Sequence, residues 1–327
     1  MTYLVTGATG FIGGRLARRL LAAGHRVHAL ARHPEAAAPL EAGGARVFRG
    51  DLTRPETLRP AMDGVDGVFH VAAWYAVGVP AAAAEPTNVQ GTRNVLETAL
   101  ALGVPKVVYT STVAVFGDTR GRMVDESYFY DGRKLGWASE YDRTKWIAHY
   151  EVARPLAKAG LPLVTVLPGL VYGPGDHSPV ADLLRDLLRN RTLVLPAGTV
   201  YCWSHVDDVA AAHQLAMEKG QPGEDYIVAG EPHPLVAAAR RIRTMAGSRS
   251  RIVGLPNPAV RAMGLLARPF DRWLPPRYTS EGLRAAATSY TGSSAKARRE
   301  LGYDPRPLDA GMPPTLEALR NAHTPTR

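Results

Sequence analysis

Cysteine is nearly absent from this chain, which has a single one, Cys202, among 327 residues. A lone cysteine excludes an internal disulfide framework and a metal site built from several thiolates, and it fits the reducing cytoplasm. Long apolar runs are also missing: the best candidate, residues 252–270, is broken by Pro256, Pro258, Arg261 and Arg268. A membrane-spanning helix needs about 18 uninterrupted apolar residues, so we expect no membrane span and interpret this stretch as an amphipathic helix.

Acidic residues are the minority among charged groups, with 30 Asp and Glu against 39 Lys and Arg, which gives a formal net charge of +9. A basic surface attracts nucleic acid, anionic membranes or phosphorylated ligands. The basic residues are spread along the chain, however, and no nucleic-acid recognition motif accompanies them. We therefore predict a solvated basic surface, no nucleic-acid partner and a small-molecule substrate. We also expect no signal peptide, because the first strand begins at residue 2, and a cytoplasmic location.

Glycine is frequent at the start of the chain. The apolar run 3–5 is typical of a buried strand, and Gly7, Gly10 and Gly13 follow at intervals of three before an amphipathic helix. Such a turn brings free backbone N–H groups and the positive end of a helix dipole to a pyrophosphate. This spacing alone is a moderate signal, and a glycine turn without a ligand is the alternative. The predicted contacts of a dinucleotide are Gly7, Thr9, Gly10, Phe11, Ile12 and Gly13.

Strands alternate with helices six times within the first 170 residues, which predicts an α/β fold of the Rossmann type: a doubly wound parallel sheet. The predicted strands are 3–5, 26–31, 46–49, 66–73, 106–110 and 163–167. The predicted helices begin at 11, 34, 55, 87 and 140; the fourth ends near 102, and the fifth ends near 159 unless Pro155 kinks or ends it early. Residues 117–139 are predicted to be irregular and to fold over the substrate.

Residues 171–327 are rich in Pro, Gly and Arg and predict a smaller, mostly helical substrate lobe. Its predicted helices are 180–190, 205–219, 235–245, 258–266 and 313–321, with a short strand at 226–228. We expect segments near 205–230 to return to the dinucleotide domain of residues 1–170, so that the two parts interleave. Residues 322–327 are predicted to be disordered.

Right-handed crossovers place the carboxyl ends of all the strands at one edge of such a sheet. Arg32, with His33 beside it, follows the second strand, where an arginine accommodates the 2′-phosphate of NADP and an acidic residue would favour NAD. Asp51 ends the third strand, where an adenine amino group needs an acceptor, and small Ala72 and Ala73 end the fourth. We therefore predict NADP(H) as the preferred cofactor, with NAD(H) possible and a surface role for Arg32 as the alternative.

Tyr141 and Lys145 stand four residues apart on a predicted helix and share one face. A tyrosine hydroxyl has a pKa of about 10, and a nearby ammonium lowers that value toward neutrality, which suits proton transfer. Ser111 and Thr112 follow the fifth strand and supply hydroxyls that can bind a substrate oxygen. A Tyr-x-x-x-Lys pair is weak evidence by itself; behind a dinucleotide turn and a Ser-Thr strand end it indicates an oxidoreductase.

The chain resembles the extended short-chain dehydrogenase/reductase superfamily, and within it the dihydroflavonol 4-reductase-like branch. The resemblance rests on the segments 6–13, 50–52, 68–73, 88–92, 110–112, 141–145, 168–174, 205–208, 294–297 and 300–303. It implies a catalytic set of Thr112, with Ser111 as the alternative, Tyr141 as acid or base, and Lys145. It also implies a homodimer formed through the helices near 87–102 and 140–159. Further cofactor contacts expected from it are Leu52, Asn88, Thr110, Pro168, Leu170 and Val171.

Nucleotide-sugar epimerases of this superfamily usually have arginine and asparagine at the positions of Leu167 and Leu170. Their absence argues against a diphosphate-sugar substrate. An apolar or aromatic pocket is predicted instead from Trp74, Tyr75, Tyr130 and Tyr172, with Trp137 and Trp203 as further candidates; core or lid packing is the alternative for each. We predict an NADP(H)-dependent carbonyl reductase or alcohol dehydrogenase. The alternatives are an NAD-dependent sugar epimerase or dehydratase, and a non-enzymatic NADP-binding regulator.

Overall fold

The computed structural model describes residues 1–78, 82 and 84–321, so the disorder expected for residues 322–327 lies outside the described residues. The strands of this part are β1 (Thr2–Thr6), β2 (Arg26–Ala31), β3 (Arg46–Arg49), β4 (Gly67–His70), β5 (Val107–Thr110), β6 (Leu163–Pro168), β7 (Leu170–Tyr172), β8 (Leu193–Pro196), β9 (Val200–His205), β10 (Asp225–Val228), β11 (Pro232–Pro234) and β12 (Ile252–Leu255).

Before residue 170, the α-helices of the structure are on average shorter than the helices predicted from the sequence. They are α1 (Phe11–Ala22), α2 (Ala38–Ala42), α3 (Arg59–Met62), α4 (Gly91–Ala101), α5 (Gly132–Leu135), α6 (Glu140–Ile147), α7 (Arg154–Lys158), α8 (Pro179–Leu188), α9 (Val206–Lys219), α10 (Leu235–Met245), α11 (Asn257–Ala267), α12 (Ser280–Ala286), α13 (Ala295–Leu301) and α14 (Leu308–Asn321). In the described residues, no helix is both long and apolar enough to cross a membrane.

The main sheet has seven parallel strands in the order β10-β6-β5-β4-β1-β2-β3. Its inner strands are buried at every position and predominantly apolar, as expected when helices cover both faces of a parallel sheet. The predicted Rossmann-type fold is therefore confirmed. The strand predicted at 226–228 is β10, which pairs with β6 at the edge of this sheet.

Each face of the sheet has its own apolar core. On one face, Leu16 and Leu20 of α1 pack with Ala212 and Ala216 of α9. On the other face, the core includes residues of α4 and of the helical segment 140–158. A third core lies among β7, β9, α8, α10 and α14 of the smaller lobe. Because both helix layers are anchored by this burial, the strand ends between them are held in fixed positions.

Pro155 does not end the helix at 140–158. A π-helical turn at Ala148–Ala153 joins α6 to α7, so Pro155 lies in the first turn of α7, where its missing N–H breaks no helical bond. Two other boundaries also differ from the predictions: β4 ends at His70, which leaves Ala72 and Ala73 in the following loop, and α14 begins at Leu308 with two prolines inside it.

Candidate active site

The glycine turn between β1 and α1 brings three backbone segments into close approach. Gly7 has φ +70°, and a Cβ there would lie 2.8 Å from the Cα of Ala72, in the loop after β4. A Cβ at Gly13 would lie 2.2 Å from the carbonyl oxygen of Gly7. Gly10 donates its N–H to that same oxygen at 2.9 Å and caps α1. Side chains at Gly7 and Gly13 would therefore force the strand, helix and loop apart.

The amino end of α1 fits a pyrophosphate. Its first turn has no acidic residue, and Gly10 caps the helix without a side-chain hydrogen bond, so the dipole is not neutralised there. The half-buried Ala72 and the exposed Ala73 add little bulk beside the turn. These features agree with a nicotinamide dinucleotide bound through Gly7, Gly10 and Gly13.

Arg32 and Asp51 lie at neighbouring strand ends beside the glycine turn. Asp51 accepts hydrogen bonds from the backbone N–H and the hydroxyl of Thr53, both at 2.9 Å. These bonds, and then the nearby charge of Arg32, lower the pKa of the Asp51 carboxyl. Arg32 itself is exposed, and the exposed His33 lies 3.4 Å from Glu35. The exposed guanidinium of Arg32 can bind a ribose phosphate, whereas the Asp51 carboxylate can accept a hydrogen bond but would repel that phosphate.

Tyr141 meets Thr112 where β5 ends and α6 begins. The Tyr141 hydroxyl lies close enough to the side chain of Thr112 for Thr112 to lower its pKa, and the Thr112 oxygen accepts the N–H of Ala114 at 3.2 Å. Ser139 caps α6 by accepting the N–H of Asp142, which sets the start of this helix. The Ser111 hydroxyl is buried and has no partner among the described residues. The structure thus brings both candidate hydroxyls to the strand end, with Thr112 in contact with Tyr141.

Lys145 lies one helical turn behind Tyr141, and its side chain is 2% exposed. Its Nζ donates to the carbonyl oxygen of Thr110 at 2.7 Å and to the hydroxyl of Tyr109 at 3.1 Å. An ammonium has three N–H donors, so one remains for another partner. Burial lowers the pKa of Lys145 to about 7.

The pKa of the Tyr141 hydroxyl is raised, not lowered as the sequence predicted. Burial is the largest cause, followed by the nearby Tyr75 and Asp142. Lys145 is not among the groups that shift this pKa, and its Nζ donates to Tyr109 and to the backbone of Thr110 instead. Tyr141 is therefore a neutral phenol at pH 7, which suits a proton donor better than a base.

Comparison with known proteins identifies the family. The profile of the NAD dependent epimerase/dehydratase family matches residues 3–229. This chain belongs to that family. It is 30% identical to sterol demethylase protein B of Methylococcus capsulatus, covering 93% of this chain and 94% of that protein. It is 33% identical to a 4-hydroxy-2-methyl-3-oxo-4-farnesyl-3,4-dihydroquinoline-1-oxide ketoreductase of Stigmatella aurantiaca, covering 98% and 96%.

Solved structures agree with this assignment. The crystal structure of the protein gox2253 matches with a TM-score of 0.84 and 34% identity, covering 98% of both chains. The family binds a nicotinamide cofactor, NAD or NADP. This member of the epimerase/dehydratase family is thus an NAD(P)-dependent oxidoreductase of the extended short-chain type.

A series of buried polar groups connects the glycine turn to Lys145. No role for these groups is predicted from the sequence. The ring of His70 lies between the hydroxyls of Thr6, at 2.9 Å, and Thr92, at 3.0 Å, and it stacks on Tyr109. Burial lowers the pKa of His70 to about 3, so its imidazole is neutral. His70 was visible in the motif 68–73, but only the fold shows that both its ring nitrogens have partners.

Asp142 and Tyr290 form a second pair that sequence reasoning missed. The Tyr290 hydroxyl donates to Asp142 at 2.5 Å, and burial raises the pKa of Asp142 to about 6. The ring of Tyr290 stacks on Tyr201, while Tyr75 packs edge-on against Tyr141 at 4.8 Å. Aromatic rings therefore line the region in front of Tyr141, but two of them come from the smaller lobe.

Two predicted cofactor residues use their side chains elsewhere. Asn88 is buried, and its amide bonds the backbone of Trp74 and the hydroxyl of Thr144, so it fastens the loop after β4 to α6. The Thr110 hydroxyl bonds His213 of α9, and only its carbonyl faces Lys145. These side chains are turned away because a buried polar group needs a protein partner. The remaining predicted contacts at strand ends are Leu52, Pro168, Leu170 and Val171, which are buried or half-buried.

The aromatic pocket predicted from sequence is only partly present. Tyr172 and Trp203 pack on each other within the core of the smaller lobe, so neither lines the site. The Tyr130 ring would clash with any side chain at Gly117, and its hydroxyl donates to Gly136 at 2.6 Å, which places it in the packing of the irregular loop. Trp137, in the same loop, packs on Trp146 of α6. Trp74 is half-buried, and Tyr75 is the predicted ring that contacts Tyr141.

The buried amine of Lys145 predicts a dependence of stability on pH. The unfolded chain has a lysine pKa near 10.4, whereas the folded value is about 7, so between pH 7 and 10 the unfolded state binds a proton that the folded state does not. Stability from this group therefore rises with pH in that window. Lys145→Met lacks this gain. The difference in free energy of unfolding, variant minus wild type, should therefore fall by roughly 1.4 kcal/mol for each pH unit between pH 7 and 10.

Denaturant unfolding across this pH range measures that slope. The matched control is Lys158→Met, because Lys158 is exposed at the end of α7. Its stability relative to the wild type should not change with pH. A flat difference for Lys145→Met as well would contradict a neutralised buried amine.

Proposed function

We propose that this oxidoreductase uses NADP(H) to reduce a carbonyl group, or oxidise a secondary alcohol, of an apolar or aromatic substrate. The contact between the Tyr141 and Thr112 hydroxyls is the observation that carries this proposal. A carbonyl oxygen bound to both would receive a proton from Tyr141 and a hydrogen bond from Thr112. The N–H of Ala114 occupies one lone pair of the Thr112 oxygen and so orients this hydroxyl. The nicotinamide, when bound, supplies or accepts the hydride.

Three features support an apolar substrate. Leu167 and Leu170 stand where diphosphate-sugar enzymes usually have polar groups. Tyr75, Tyr201 and Tyr290 present rings near Tyr141. The relatives named as a ketoreductase and a sterol demethylase protein act, by those names, on largely apolar molecules. We further propose that the lobe of residues 171–327 binds this substrate and that residues 1–170 bind the cofactor.

An absorbance screen tests the reaction. The protein is titrated with NADPH and NADH, and ketones with aromatic or long-chain groups are then supplied with the tighter cofactor alongside a nucleotide-sugar panel. We expect NADPH oxidation with apolar ketones and none with sugars. Conversion of a nucleotide sugar, together with NAD released on denaturation, would contradict the proposal in favour of an epimerase. Tight NADPH binding without turnover of any ketone would favour a regulator.

Arg32 is proposed to select NADP by pairing with its 2′-phosphate. Arg32→Asp removes that cation and supplies an acceptor for the 2′-hydroxyl of NAD. The ratio of kcat/KM for NADPH over NADH should fall by about 10-fold to 100-fold, the range of one charge-assisted hydrogen bond. Arg26→Asp, at the other end of β2, is the control and should leave the ratio unchanged. An unchanged ratio in Arg32→Asp would make Arg32 a surface residue only.

We also propose that the protein is a homodimer formed through α4 and the helical segment 140–158. The exposed ring of Phe129 lies against Tyr150 of that segment and leaves apolar surface beside it. Light scattering measures this state, and a monomer at all concentrations would contradict it.

A further inference from the structure

Exposed apolar side chains are concentrated in one segment of the smaller lobe. Among the described residues, six of the twelve large hydrophobic side chains that are exposed fall within residues 263–278, at 46% to 76% exposure. We call them the apolar patch; its members are Met263, Leu265, Leu266, Phe270, Trp273 and Tyr278. Large apolar side chains exposed in this number within one segment, with the rings of Phe270 and Trp273 6.3 Å apart, indicate an interaction surface, because burying them in a partner is favourable.

The patch is exposed because of how α11 packs. The helix turns Val260 and Gly264 toward α12, and a Cβ at Gly264 would lie 3.3 Å from the backbone of Ser280. Leu265 and Leu266 lie outside that contact. Short 3-10 turns at Arg268–Phe270 and Pro276–Tyr278 then follow, so the segment is too broken to form a spanning helix.

The charges around the patch are predominantly positive. Residues 257–284 contain five arginines, no lysine and two acidic residues. Both acids are engaged internally: Asp271 accepts from Ser280, and Glu281 accepts the N–H of Glu140. Three of the arginines are engaged as well: Arg261 pairs with Asp118, Arg277 pairs with Asp186, and Arg284 donates to the carbonyl oxygen of Ala138. The positive charge of the patch therefore comes from Arg268 and Arg272. In the described part of the chain, no carboxylate lies within 4 Å of Arg268 or Arg272, and the Arg272 guanidinium covers the ring of Trp273 at 3.7 Å. The partner of this surface should therefore be negatively charged.

We propose that the apolar patch docks on the surface of an anionic lipid bilayer. Tryptophan, phenylalanine and leucine bordered by arginine are the residues that settle at the boundary of headgroups and acyl chains, with the guanidinium groups extended toward the phosphates. A second copy of the chain fits less well, because the same arginines would face one another across a twofold axis.

The segment that carries the patch contacts a loop of the candidate active site. A Cβ at Gly78 would lie 2.1 Å from the carbonyl oxygen of Pro276, so the loop after β4 touches the segment of the patch. Tyr75 of that loop packs against Tyr141. Docking would thus bring the site close to apolar molecules dissolved in the bilayer. That substrate source rests on the function proposed above, whereas lipid binding itself does not.

Vesicle co-sedimentation of the full chain, without substrate, tests the docking. Vesicles of phosphatidylcholine alone are compared with vesicles that also contain phosphatidylglycerol, and we expect about tenfold or stronger binding to the anionic ones at low salt. Arg268→Glu/Arg272→Glu should reduce that binding by about tenfold or more, because each arginine loses its favourable contact with the anionic surface. The control Arg54→Glu/Arg59→Glu changes two exposed arginines beside α3 and should bind like the wild type.

The apolar contribution is tested with Leu265→Ser/Leu266→Ser, against the control Leu135→Ser at another exposed leucine. Circular dichroism checks that each variant is folded. The first variant should lose vesicle binding while the control retains it. Trp273 fluorescence, isolated as the difference between the wild type and Trp273→Phe, should shift to the blue on anionic vesicles. The proposal would be overturned if the wild type bound neutral vesicles equally well or bound no vesicles. It would also be overturned if Leu265→Ser/Leu266→Ser lost self-association and kept its lipid binding.

Discussion

Replacing Tyr141 by phenylalanine is expected to lower kcat on the order of 10³-fold, the usual contribution of a positioned proton donor. Phenylalanine keeps the ring that packs edge-on against Tyr75 at 4.8 Å, but it has no hydroxyl to donate to a carbonyl oxygen or to bond Thr112. Affinity for the cofactor should stay within about threefold, since the amino end of α1 is untouched. The two quantities are measured by nicotinamide absorbance and by fluorescence titration.

Tyr150→Phe is the matched control for this change. Its hydroxyl is buried without a partner in the described residues, and its ring packs on Trp146, two turns of helix beyond Tyr141. The same loss of a phenol oxygen should therefore leave kcat near the wild-type value. Full turnover by Tyr141→Phe with its cofactor bound would remove Tyr141 from the mechanism and point to Thr112 or to a buried acid such as Asp142.

The sequence was sufficient to predict the groups whose signals are local. Gly7 and Gly13 stand out by their spacing at a strand-to-helix turn, and the structure shows that side chains there would collide with backbone. Tyr141 and Lys145 share a helix, so their relative position follows from helical geometry. The parallel sheet could be predicted because strands that alternate with helices along the chain form parallel pairs.

The environment of the site could not be predicted in the same way. Tyr290 reaches Asp142 from 148 residues away, and no local pattern indicates that pairing. Tyr172 lies within a family motif, yet its large ring gains more from burial in the lobe core than from exposure in a pocket. The pKa of Tyr141 depends on burial and on the nearby Tyr75 and Asp142, and the spacing of Tyr141 and Lys145 reveals neither.

Gly13→Ala is expected to destabilise the fold by about 3 kcal/mol and to weaken cofactor binding more than tenfold. The new methyl group would lie 2.2 Å from the Gly7 carbonyl oxygen and 2.7 Å from its carbon, and neither backbone atom can move without disturbing β1. Overpacking of this kind costs 1–3 kcal/mol or more, because the helix must shift away from the strand. Thermal unfolding and cofactor titration measure the two effects.

Cofactor affinity should fall by more than the loss of stability alone would cause. The reason is that the helix that shifts, α1, is the one whose amino end faces the phosphates. Titration well below the melting temperature separates the two, since the variant is then folded. Gly264→Ala is the control: it also adds a methyl group to a helix, but at 3.3 Å from its nearest neighbour and in the smaller lobe. Wild-type affinity in folded Gly13→Ala would mean that the pyrophosphate does not bind at this turn.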